Sequence, residues 1–416
     1  MSEPAAEAAA RDLWREPDFV RLWGAATVTN FGSMITQLAV PFAAIQVLHA
    51  TPAELGVLRA LVIVPGFALG LFAGSWLDRT RRRPVLIGSD LLRAALYASI
   101  AAAAALGRLS MPWLYAVAFA AGVLSFVFHV ARDAYLPALV RRDALVSANA
   151  RLRGGEAASE GAGFGVGGWL VQLLGAPQAL LVDAGTFLAS AGLLATIRAP
   201  EPPPVPRRRA RTARDRLREI GEGLRVVLAH PGLRPLALAG ALLAASWQTT
   251  GIAYLLFLDE LGFDAGWLGV VFAAGSVSSL AGSLVARPLG RRLGAGRAMA
   301  AGLGVHALSM ALVPLVGGPG TLGFALLAAQ QLGDGGEVVF SVHGSSYRQA
   351  ALPLDLQGRA AASFAFLAQG GMLLGTVAGA ALGELAGARA TLAIGAAGML
   401  GATAIVAFRG RSSFDN

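Results

Sequence analysis

Apolar runs of about 20 residues, long enough for a helix to cross ~30 Å of hydrocarbon, recur twelve times along this chain. They fall at 19–48, 53–77, 84–106, 111–131, 152–174, 178–197, 234–258, 265–286, 297–317, 321–342, 360–384 and 389–408. The pattern predicts an all-α membrane protein of twelve transmembrane helices. Only 14% of the 416 residues are charged, against roughly 25% in soluble domains. The 53 glycines suit helices whose backbones must approach closely in lipid. With no cysteine, a disulfide framework, a thiolate metal site and a cysteine nucleophile are excluded. Residues 1–10 lack a basic n-region and do not read as a cleaved signal peptide, so the first span is expected to do the targeting.

The formal charge of +9 invites a nucleic-acid partner, but the arginines follow topology instead. All 34 basic residues are arginine, and thirty of them lie on the side of the termini and the longer links. Arg108 and Arg389 lie on the other side, where the links 107–110, 175–177 and 317–320 are short, and Arg59 and Arg93 fall within spans. Positive charge beside helix ends marks the cytoplasm. Both termini are therefore expected there, in a multi-pass protein of the bacterial plasma (inner) membrane, with no nucleic-acid partner.

The expected organisation is a cytoplasmic segment 1–18, a six-helix bundle 19–197, a linker 198–233, a second six-helix bundle 234–408 and a cytoplasmic tail 409–416. In the linker a proline-rich stretch ends span six and a run of arginines follows. Leu217, Ile220, Leu224, Val227 and Leu228 then recur at helical spacing, which predicts an amphipathic helix lying in the membrane interface. The halves echo each other. Gly74-Ser75 with Arg79 returns as Gly282-Ser283 with Arg287, and Arg132 with Pro137 returns as Arg348 with Pro353, at offsets of 208 and 216. Two parallel repeats of six helices fit a transporter with its site at the midplane between bundles.

The segment Gly74-Ser-Trp-Leu-Asp78-Arg79-Thr-Arg81-Arg82-Arg83 resembles the major facilitator superfamily signature Gly-x-x-x-Asp-Arg-x-Gly-Arg-Arg, with Arg81 in place of glycine. Asp90-Leu-Leu-Arg93, Glu222-Gly-Leu-Arg225, and Tyr347-Arg348-Gln349 with Pro353 and Gly358-Arg359 resemble the branch holding macrolide exporters and the enterobactin exporter. The glycines 161, 163, 165, 167 and 168 of span five resemble the family's antiporter motif, with Phe164 at its proline position. The likeness runs from about Trp14 to Phe408. It implies two bundles related by a pseudo-two-fold axis, and a cytoplasmic gate of Gly74, Asp78, Arg79, Arg82, Arg83, Asp90, Arg93 and Arg132. There a carboxylate–guanidinium network would bond in one state and break in the other.

Ionisable groups at bilayer depth are costly and suggest function. Asp334 in span ten is the sharpest case, either as a proton carrier or as half of an ion pair with an arginine of another helix. Glu337 shares its face, and Glu160 and Asp183 are deeper candidates for proton coupling. Asn30, Gln37, Arg59, Trp247 and Tyr254 are expected to contact substrate, since amides and aromatics in an apolar cavity suit an amphipathic ligand. His306 reads as a hydrogen-bonded packing residue.

No Walker loop, Gly-x-Ser-x-Gly elbow or His-Glu-x-x-His stands in the sequence, so neither enzymatic activity nor a cofactor or metal is expected. The expected function is proton-coupled efflux of a small amphipathic molecule by a monomer in the lipid bilayer. The alternatives are a uniporter, importer or lipid flippase of the same fold, or a non-transporting receptor or scaffold. Topology is the first test: reporter fusions at Arg211 and Gly410 should report cytoplasm, and those at Gly107 and Gly318 the exterior. A reproducible external signal at Arg211 would overturn the helix count.

Overall fold

The structure is a computed structural model describing residues 13–69, 80–141, 144–199, 201, 213–352 and 354–409. Every long apolar run within them is helical: α1 Pro17–Phe42, α2 Pro52–Leu69, α3 Arg82–Ala105, α4 Met111–Leu139, α5 Leu145–Leu174 and α6 Ala176–Ala195. The linker carries α7, Ala213–Ala229. There follow α8 Leu233–Glu260, α9 Ala265–Leu293, α10 Ala295–Met310, α11 Thr321–Ala350 and α12 Leu354–Arg409. Proline stands in the first turn of α1, α4 and α6, where its fixed φ suits a helix start and its missing N–H costs nothing.

The break inside α12 is a single residue, Gly387, at φ 79°. Gly175, at φ 88°, makes the corner between α5 and α6. An L side chain rarely adopts that backbone, so glycine turns the chain here. The two corners occupy corresponding places in the halves, and the two arms of α12 account for spans eleven and twelve.

Among the described residues eight helical stretches are long and apolar enough to cross a membrane, one of them Ala360–Phe408 with both arms of α12. Helices α2, α5 and α11 fall outside that set; α5 and α11 carry Glu156, Glu160, Asp334 and Glu337 among their glycines. Large apolar side chains point outward along the spans, as with Leu173 at 74% and Leu322 at 73% exposure. In water such a surface would aggregate; in hydrocarbon it is solvated.

The chain forms two compact units. One gathers the described residues of 1–49, 61–211 and 265–273, the other those of 50–60, 212–264 and 274–416. Within the first, α1 packs against α5 and α6, and α3 against α4 and α6. Phe19, Leu22, Leu86, Phe128 and Tyr135 are among its fully buried core residues. Within the second, α8 packs against α12, and α10 against α11 and α12, so the same pairs of spans meet in both units.

The α8–α12 seam is made by glycine. Gly371, Gly375 and Gly379 recur every fourth residue, and a Cβ at each would meet the backbone of Ala241, Ala245 and Thr249 in turn. Thr249 Oγ1 donates across the seam to the Gly375 carbonyl at 3.0 Å. Lipid tails give helices no hydrophobic reason to associate, so close backbone contact of this kind must hold them.

The apolar face of α7 is only partly free. Val227 is buried with Leu233, Ala237, Leu352 and Ala360, so this end of the helix is seated on protein where the sequence predicted the membrane interface, while Leu228 stays 37% exposed. The side chains of Leu217 and Ile220 lie outside the described residues.

Gly375→Ala should therefore destabilise by about 1–3 kcal/mol, the usual cost of overpacking, and lower the thermal midpoint in detergent. Gly370→Ala, whose added methyl meets nothing within 4 Å, should leave it unchanged. Equal effects would mean that the seam is not tight.

Candidate functional site

The first unit buries a polar network in which both oxygens of each carboxylate are bonded and Arg93 Nε is left without a partner among the described residues. Asp90 and Arg93 lie one turn apart on α3, at 0% and 1% side-chain exposure, and form an ion pair. The second Asp90 oxygen accepts from Ser190 Oγ of α6 at 2.6 Å. The Arg93 guanidinium lies between the rings of Phe128, 4.6 Å away, and Phe187, 4.3 Å away, so its faces meet π density where water is absent. A second carboxylate, Asp183 of α6, is also fully buried. It accepts from Thr36 Oγ1 of α1 and from Thr186 Oγ1, the latter at 3.0 Å. Gly32 of α1 leaves the room for it, since a Cβ there would overlap Asp183 and Thr186.

At the ends of the same helices lie the arginines of the expected gate. Arg132, nearly buried, pairs with Glu156 of α5 and with its neighbour Asp133 at 2.9 Å. The backbone N–H groups of Arg82 and Arg83 donate to Glu201, which caps α3. The Arg83 side chain donates to the carbonyls of Leu194 and Ala195, where α6 ends. These bonds tie α3 to α6 and α4 to α5. Gly74, Asp78 and Arg79 lie outside the described residues.

In the second unit a different cluster surrounds Asp334. His306 of α10 is 1% exposed; its Nδ1 lies 3.2 Å from the Gly333 carbonyl and 3.9 Å from the Asp334 carboxylate. Trp247 of α8 stacks on the imidazole at 5.7 Å, and Tyr254, two turns further along α8, donates to Gln330 Oε1 at 3.1 Å. A Cβ at Gly275 of α9 would collide with Asp334 and Gln331. Four helices thus bring a carboxylate, an imidazole, two amides and two aromatics to one place. The Asp334 side chain keeps 21% exposure, unlike Asp90 and Asp183, although its Oδ1, the oxygen nearest His306, is buried.

The remaining candidates scatter. Asn30 donates its amide to the Glu156 carbonyl at 3.0 Å, a bond that fastens α1 to α5 and leaves the amide less to offer a ligand. Gln37 is exposed on α1, and its nearest bond is to Met34 Sδ at 3.4 Å. Arg59 is half-buried on α2 and forms no ion pair with a described residue; Glu337 is half-buried one turn beyond Asp334, and Glu160 is exposed on α5. Among the described residues no three His, Asp or Glu side chains converge as a bound metal would need.

The family profile described as Major Facilitator Superfamily matches residues 22–376. The chain belongs to the major facilitator superfamily. Over 144 residues it is 33% identical to uncharacterized MFS-type transporters of Mycobacterium tuberculosis and Mycobacterium bovis, a stretch covering 33% of this chain and 32% of each relative. The match thus spans about a third of those relatives' length. Among solved structures, a bacterial homologue of the iron transporter ferroportin in the inward-facing state superposes with a TM-score of 0.74 at 18% identity, covering 95% of this chain and 98% of that one. The nucleoside transporter NupG gives 0.71 at 16% identity, with 96% and 99% covered. Likenesses at such identity establish the fold of this facilitator and say nothing of a substrate.

Several partners in this facilitator's clusters escaped sequence reasoning. Ser190, Thr36 and Thr186 are ordinary small polar residues until the fold sets them on buried carboxylates. His306 was visible as a lone histidine in an apolar run, but its place beside Asp334 joins helices nearly thirty residues apart. Glu201 was hidden in a proline-rich link.

Asp90→Ala would leave the Arg93 guanidinium buried without its counter-charge, at a cost of about 3–5 kcal/mol. Ser190→Ala removes one hydrogen bond to a charged group and should cost about 1.5–3 kcal/mol. Unfolding in detergent should rank the variants in that order, and the reverse order would contradict the network.

Proposed function

We propose that this facilitator is a proton-coupled exporter of small amphipathic molecules (drug, macrolide or siderophore-like), working by alternating access as a monomer in the bacterial inner membrane. The observation that carries the reading is Asp334. Its carboxylate sits at bilayer depth, partly accessible, against His306 and within reach of Trp247, Tyr254 and the glutamines of α11. A carboxylate so placed can gain and lose a proton as access alternates, and an ionisable group inside the membrane is kept for such work. His306 stands where it can hold that proton or hand it on. The aromatic and amide groups beside it suit a ligand with an apolar body and a few polar atoms.

In the first unit, Asp90, Arg93 and Arg132, with Arg82 and Arg83, would serve the gate. The bonds of Arg83 to the end of α6, of Arg132 to Glu156 and of Asp90 to Ser190 cross between helices and would break if those helices moved apart, which biases a two-state equilibrium as a gate requires. Asp183 is enclosed by hydroxyl donors and is the weaker proton carrier.

The test is transport by purified protein in vesicles carrying an imposed proton gradient, with ethidium and erythromycin as probes. Wild type should move a probe against its gradient. Asp334→Asn should lose that uphill movement and keep downhill exchange, because the amide holds the volume and hydrogen bonds but cannot change charge. Wild-type uphill transport by a stable Asp334→Asn protein would overturn the coupling assignment. Flux indifferent to the proton gradient in wild type would favour a uniporter of the same fold.

A further inference from the structure

Between the start of α3 and the chain leaving α6, the first unit has an open pocket of about 690 Å³ that borders the proposed gate at Arg83 and Glu201. Its rim carries Arg81, Arg83 and Arg198, with Glu201 as its carboxylate. Glu201 is already engaged by the Arg82 and Arg83 N–H groups, and Arg83 by the end of α6. Arg81 and Arg198 are exposed, and neither guanidinium forms an ion pair with a described residue; Asp18, which accepts from the Arg198 and Ala199 backbone N–H groups, is paired with Arg21. The rim therefore holds an excess of positive charge. The floor is of another kind. Gly88 and Leu91 line it along α3, nothing lies within 4 Å of where a Cβ on Gly88 would stand, and Leu91 is 47% exposed. Leu92 beside it is 56% exposed, so the groove opens from the basic rim onto the lipid-facing surface of a membrane span.

We infer that this pocket binds the headgroup of an anionic phospholipid, with Arg81 and Arg198 on the phosphate and an acyl chain running over Gly88 along Leu91. Basic pockets between transmembrane helices at the cytoplasmic face bind such headgroups, and arginine matches phosphate oxygens in a bidentate way. A rim that served topology alone would need no groove beneath it. A site for a free anion would need no apolar floor. Helix α3 also carries the Asp90–Arg93 pair on its buried face, so a lipid seated here rests against the helix that holds the network.

The experiment uses the full purified chain in neutral detergent and reads lipid binding, so its outcome does not depend on the transport reading. Native mass spectrometry would count phosphatidylglycerol and phosphatidylcholine retained in equal mixtures, with inorganic phosphate as competitor. Wild type should retain one phosphatidylglycerol in preference to phosphatidylcholine. The double variant Arg81→Gln/Arg198→Gln should weaken that retention at least tenfold, and Gly88→Trp, which fills the groove without altering charge, should do the same. Both should keep the wild-type thermal midpoint in lipid-free detergent, since neither residue set holds the fold. Equal retention of the two lipids, or unchanged retention in the double variant, would overturn the proposal. So would displacement by inorganic phosphate with no effect of Gly88→Trp, which would leave an anion site and no lipid groove.

Discussion

Hydrocarbon offers a peptide group no hydrogen-bond partner and gives two helices no hydrophobic reason to meet. Everything in this structure answers that constraint. Each span closes its own backbone bonds, and cohesion comes from two sources. Glycine seams such as Gly371–Gly375–Gly379 let backbones touch. Side chains such as Asn30, Ser159 and Thr249 donate across helix interfaces to backbone carbonyls. Glycines such as these are thus packing surface, and the leucines and valines turned outward meet the solvent of this protein, which is lipid.

Buried charge is the other consequence, and it comes in two kinds. Asp90, Arg93 and Asp183 are closed: each carboxylate oxygen has a donor, and the guanidinium lies between two rings. Groups so satisfied rigidify a bundle, and removing one partner is far more costly than the pair is worth. Asp334 is open, with part of its surface exposed beside an imidazole. On the proposed reading, a group that must change protonation in every cycle cannot be locked by its surroundings, and the exposure of Asp334 fits that demand. The corresponding arginines of the repeats diverge in the same sense. Arg132 is bound by Glu156 and Asp133, while Arg348 lies over the Phe364 ring and donates to Ser345.

The fold was legible because span length and arginine placement are one-dimensional signals. Periodicity placed most span starts to within two residues, while α4, α9 and α11 run seven or eight residues past the expected ends and α5 starts seven earlier, and Gly387 was needed to separate the last two. The family could be read because its signature at 74–83 is contiguous. The sites were legible only in part, for a physical reason. A charge in an apolar run announces itself, so Asp90, Arg93, Asp183 and Asp334 stood out, but its partners are serines, threonines and carbonyls with no signal of their own. Asn30 looked like a ligand-binding amide, and the structure gives that amide to the backbone of α5. His306 and Asp334 come together through the packing of α10 on α11, which no spacing in the sequence encodes.

The central proposal is that Asp334, and neither of the fully buried Asp90 and Asp183, exchanges a proton. Infrared difference spectroscopy of the reconstituted protein through a pH jump reads that exchange directly, as the carbonyl stretch of a protonated carboxyl appears or vanishes. The account predicts one such band, absent from Asp334→Asn, shifted by His306→Gln and retained in Asp183→Asn. A band that survives in Asp334→Asn and disappears in Asp183→Asn would contradict it.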